Sequence, residues 1–240
     1  LKGAAAIAAG SVLAIGAAGG CQGGVDSLFE RNAPPVNEAI NALEGGDAKA
    51  ASELLEEYLS TGKCEKGQIG TPPSVAQKPN ASFDLGLGLF QLGETFGRRF
   101  GDEELGGDAG LTPLEEQQLS DRSDQVDCAL KIVELIAADP EAPIELRARA
   151  EYLAGNLEFL RRKYRPAVEH YDRALKLIPG MEDDASDGIG RDAAWNRAIA
   201  LRRIEDEEAK KDASQEPEPD ASDAKDESTP DANDGGEPDS

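Results

Sequence analysis

Residues 150–179 read AEYLAGNLEFLRRKYRPAVEHYDRALKLIP. Apolar residues recur at helical spacing in both halves, so two short amphipathic helices joined by a tight turn are expected. Small residues stand inside them, at Gly155, Ala167 and Ala174. Glycine is a poor helix former, so its presence needs a packing reason: the two helices pass where only small side chains fit. Tyr171 is the large residue that fills the remaining gap. Pro166 sits in a first helical turn, which tolerates the missing N–H, and Pro179 stops the second helix.

The spacing is specific. With Gly155 at the eighth place of a 34-residue unit, Ala167 falls at place 20, Tyr171 at 24, Ala174 at 27 and Pro179 at 32. Tyr164 takes the aromatic place before the second helix. This resembles the tetratricopeptide repeat (TPR) pattern, with the best repeat over 148–181. AAWNRAIALRRIED aligns with its first helix: Ala193 with Ala150, Trp195 with Tyr152, and Ala198 with Gly155. The sequence then turns wholly charged, so residues 192–208 read as a capping helix.

Upstream the pattern degrades. VNEAINALEGGDAKAASELLEEYLSTG fits helix, turn, helix through Ala39, Gly46, Ala51, Leu55 and Tyr58. ASFDLGLGLFQLG resembles another first helix, with Gly86 at the small place, but its second helix is not legible: ETFGRRFGDEELGG puts Arg98 where alanine is expected. LTPLEEQQ carries a helix-start signature in Thr112, Pro113 and Glu115. SDQVDCALKIVELIAAD then offers a buried face of Val126, Leu130, Val133 and Ile136/Ala137. No strand-length alternating run occurs. The expected fold is all-α: a TPR-like helical-hairpin solenoid of three to four units over 35–208.

Both ends differ from this middle. LKGAAAIAAGSVLAIGAAGGC has a charged start, an apolar run and small residues before a cysteine, the layout of an export signal. It resembles a bacterial lipoprotein signal over 1–20, which implies that Cys21 carries the lipid and that 21–34 is a tether. An ordinary cleaved signal with Cys21 an incidental thiol is the other reading. Lipidation of Cys21 leaves Cys64 and Cys128, an even pair in an oxidising compartment, either bridged or as two separate buried thiols. From Glu205 to Ser240 there are 15 Asp/Glu against three Lys, and no Val, Ile, Leu, Phe, Tyr or Trp. Such a stretch cannot offset its ordering entropy, so 209–240 is expected to be a disordered acidic tail.

A net charge of −23 argues against nucleic acid as a partner, because nothing basic is clustered to neutralise phosphates. Chemistry is equally hard to place. The single histidine, His170, is expected on an outward face and cannot support a histidine-rich metal site. LGLGLF lacks the third glycine of a dinucleotide fingerprint. DDASDGIGRDAA places Ala185 and Ala194 where a calcium loop needs oxygen ligands. No cofactor, metal or catalytic residue is expected.

A binding function remains. Residues 147–240 resemble the membrane-anchored TPR proteins of the bacterial aerotolerance (Bat) operon type: a repeat, a helix like DAAWNRAIALRRIEDE, and a charged tail. The resemblance implies an interaction partner of the von Willebrand factor A type, with the chain lipid-anchored in the cell envelope, facing the periplasm. By the family pattern, Tyr152 and Asn156 look into a groove, joined by Trp195, Asn196, Arg197 and Arg149. Tyr152 and Trp195 packing between helices is the competing reading. A periplasmic chaperone or outer-membrane assembly factor is the second functional hypothesis.

Overall fold

The structure, a computed structural model, describes residues 33–96, 112–179 and 188–215, with side chains described up to 212. Among these residues the chain is all-helical and has no strand. In order come α1 (Pro34–Glu44), α2 (Ala48–Leu59), the short α3 (Pro73–Gln77), α4 (Pro79–Glu94), α5 (Pro113–Ala138), α6 (Ile144–Leu160), α7 (Tyr164–Leu177) and α8 (Ile189–Gln215). The expected signal segment, the expected tether as far as residue 32 with Cys21, and the expected tail from 216 on lie outside the described residues.

Local chemistry sets the helix ends. Pro34 and Pro35 open α1 at positions whose N–H groups have no partner in a helix. Asp47 caps α2 by accepting from the Ala50 N–H at 3.0 Å. Thr112 and Glu115 form a reciprocal capping box at the start of α5. That helix then runs unbroken through both segments that read separately in the sequence. It packs along α4, after which the sequence showed no legible second helix, and begins 19 residues beyond the end of α4.

The α1–α2 and α6–α7 hairpins close through the same turn. Gly45 and Arg161 are αR-like, Gly46 and Arg162 have φ of 79° and 59°, and Asp47 and Lys163 have φ/ψ of −92°/70° and −90°/69°. The backbone bonds match one for one. Gly45 to Asn41, Gly46 to Leu43 and Asp47 to Ala42 reappear as Arg161 to Leu157, Arg162 to Phe159 and Lys163 to Glu158. Three-residue turns of this kind make antiparallel helix pairs.

Each long helix packs on the next: α1 on α2, α2 on α4, α4 on α5, α5 on α6, α6 on α7 and α7 on α8. In addition α1 touches α4, α4 touches α6, and α6 touches α8. The first helices of successive pairs therefore meet along one side of the stack. Small residues allow these approaches. A Cβ on Gly155 would lie 2.5 Å from Tyr171 Cε1 and 2.7 Å from Cδ1, and one on Gly86 would collide with Val133 Cγ1.

The core is divided. A large cluster runs from Val36 through Leu55, Leu85, Leu89, Ile132 and Val133 to Leu157. A second, between α7 and α8, holds only Ala167, Tyr171, Ala174, Ala193 and Ala200 as buried members. At roughly 25 cal/mol per Å² of apolar area, alanines stabilise far less than leucines, so α8 is the more weakly held helix.

Several boundaries move from their sequence expectation. The hairpin expected at 148–181 spans Ile144–Leu177, and the capping helix expected at 192–208 spans Ile189–Gln215. Residues 209–215, read as the start of the disordered tail, are helical: alanine and lysine there are good helix formers continuing an existing helix. His170 is also corrected. It is 7% exposed, not outward-facing, because Glu151 on α6 supplies a partner. The His170 ring Nδ1 lies 2.7 Å from Glu151 Oε2, and Arg173 Nε donates to the same carboxylate at 3.0 Å.

Candidate functional site

On the side where the first helices meet, an open pocket of about 220 Å³ lies between α4, α6 and α8. Phe90 comes from α4, Asn156, Phe159 and Leu160 from α6, and Asn196 and Ile199 from α8; Tyr171 reaches in from α7. On α6, positions 156, 159 and 160 share one face through i, i+3 and i+4 spacing, and Asn196 and Ile199 do so on α8.

Gly155 links the packing to the site. With no side chain at 155, the Tyr171 ring packs directly against α6, and its hydroxyl donates to Asn156 Oδ1 at 2.8 Å. Asn196 Nδ2 donates to the same oxygen at 3.0 Å and to the Tyr152 hydroxyl at 3.1 Å. Burial, with the neighbouring Tyr152, pushes the Tyr171 phenol well above its ordinary pKa, so it stays a neutral donor. These bonds fix both amide planes. They leave the Asn156 N–H groups and the Asn196 carbonyl oxygen outside the cluster: a donor and an acceptor beside an apolar cavity. That combination can pair with a peptide backbone while an apolar side chain enters the pocket.

Of the six groove candidates, the structure brings Tyr152, Asn156 and Asn196 together. The other three stand elsewhere. Arg197 donates to Asp172 on α7 at 2.5 Å, in the α7–α8 contact. Arg149 is half-buried one turn before Tyr152 and does not line the pocket. Trp195 is 70% exposed, so it neither packs between helices nor lines the pocket. Tyr152 does pack against the small core. Sequence reading missed Phe159, Leu160, Ile199 and Phe90. The first three were accessible from their helical spacing to the two asparagines; Phe90 is some 65 residues from Asn156 and gives no such signal.

Cys64 and Cys128 form a disulfide, with the sulfurs 2.06 Å apart. It ties the loop after α2 to α5, and so the first hairpin to the second. Among the described residues no group of three His, Cys, Asp or Glu is placed to hold a metal ion, and no helix is long and apolar enough to cross a membrane. Comparison with family models, curated proteins and solved structures finds no match to the chain.

Proposed function

We propose that this chain is a non-enzymatic protein–protein interaction scaffold of the bacterial cell envelope: a TPR-like solenoid that binds a partner's peptide or helix in the pocket between α4, α6 and α8. The single observation that carries the reading is the oriented Asn156–Asn196 pair beside that apolar cavity. Two further features support a repeat architecture: the turn shared by the α1–α2 and α6–α7 hairpins, and the meeting of first helices on one side. The disulfide fits an oxidising compartment, which supports export, with a lipid on Cys21 as the anchor and the periplasm as the facing space. A von Willebrand factor A-type envelope protein is the partner class that the sequence resemblance points to.

The test is capture from an envelope extract. The wild-type chain should retain one stoichiometric protein. Ile199→Asp, which places a charge in the pocket without touching the amide cluster, should lose it while leaving the melting temperature within a few degrees. A heterogeneous set of unfolded polypeptides, insensitive to this change, would replace the scaffold with the chaperone reading.

A further inference from the structure

The outer face of α8 carries seven exposed side chains in a row: Arg191, Ala194, Trp195, Ala198, Leu201, Arg202 and Glu205. Arg191, Ala194, Ala198, Leu201 and Glu205 follow the alternating three-and-four spacing of a helix–helix seam. They lie opposite the face that Ala193 and Ala200 bury against the stack. Ala198 holds the place that Gly155 holds on α6, where α7 crosses. On α8 that place is exposed, and no described helix lies over it. Residues 216–240 contain no large apolar side chain that could cover it.

We propose that this face pairs with the same face of a second copy, antiparallel, about a dyad at Ala198. The charges select that arrangement. With Ala198 opposite the partner copy's Ala198, each Arg191 stands opposite the other copy's Glu205, and each Trp195 opposite the other copy's Leu201. Both charged groups are available for exchange. Among the described residues, Arg191 has an exposed contact to Asp192 at 3.6 Å and Glu205 one to Arg202 at 3.5 Å, contacts of the kind that contribute little. A parallel pairing would instead set Arg191 against Arg191 and Glu205 against Glu205. It would also bring two strongly acidic tails to the same end; the antiparallel dyad sends them apart. Alanines at the seam let the helices approach closely, and Trp195 gains the burial it lacks in the single chain.

Sedimentation of the full chain tests this. The seam is about two heptads long, so a weak dimer is expected, with Kd on the order of 100 μM. Ala198→Glu should weaken it at least tenfold, and Arg191→Glu or Glu205→Arg alone should each weaken it several-fold. The double charge exchange, Arg191→Glu with Glu205→Arg, should restore it, and circular dichroism should show the same helicity throughout. A chain that stays monomeric at about 1 mM overturns the proposal. So does a dimer indifferent to Ala198→Glu, or one that the double exchange does not restore.

Discussion

An alanine methyl at position 155 would meet the Tyr171 ring at 2.5 Å, and that ring cannot retreat without breaking its bond to Asn156. Gly155→Ala should therefore cost about 1–3 kcal/mol through overpacking, more than the helix propensity it gains. Gly93→Ala supplies the contrast. Its Cβ would find its nearest neighbour, Gln125 Cβ, at an ordinary 3.5 Å. Chemical denaturation should show the first variant clearly destabilised and the second neutral or slightly stabilised. Gly46 separates backbone from packing. Nothing lies within 4 Å of its Cβ site, yet φ is 79°, so Gly46→Ala should cost about 1 kcal/mol from conformation alone. Arg162 occupies the matching place at φ 59°; Arg162→Gly should gain a similar amount.

Between elements, the buried Glu151 carboxylate joins α6 to α7. Burial raises its pKa, but the His170 hydrogen bond and the Arg173 guanidinium lower it by more, and the net value is below the ordinary one. A depressed carboxyl contributes stability that is present above its unfolded pKa and lost as pH falls through its folded pKa. Unfolding free energy of the wild-type chain should therefore drop on acidification below about pH 4.5. Glu151→Gln should be less stable near neutrality and show a shallower acid-side loss in paired titrations. The α7–α8 contact is weaker: its buried part is alanine and one tyrosine, and its ion pairs, Arg197–Asp172 and Arg165–Glu208, are partly or largely exposed. Amides of α8 should exchange with solvent earlier than those of α4 and α5, read by hydrogen exchange.

Across the whole molecule, the Cys64–Cys128 bridge closes a loop of 64 residues between two hairpins that share the large core. In the chain-entropy model that closure is worth about 4 kcal/mol. Reduction, or Cys64→Ser with Cys128→Ser, should lower the denaturation midpoint accordingly, with exchange in α1 and α2 rising most. The weakly held α8 then stands at the far end of the stack from the covalent tie. That is also the end where the pocket opens and where the uncovered seam lies, so binding of a partner or of a second copy would order the least stable part of the chain.

Helical spacing and the small residues at 155, 167 and 174 were enough to read most of the long helices, the α6–α7 hairpin, its close approach and the all-helical class, but not the short α3 or the continuity of α5. These are local properties: a glycine inside an amphipathic stretch means a near neighbour whatever that neighbour is. Thr112 and Glu115 announced a helix start for the same reason, since a cap is satisfied within one turn. Tertiary structure alone decided the rest. It showed that α5 packs along α4, that Phe90 joins Asn156 and Ile199 around one pocket, and that Arg197 turns to Asp172. It also placed His170 inside, against Glu151. Each of these depends on which helices lie side by side, and contacts across tens of residues leave no periodicity in the chain to read.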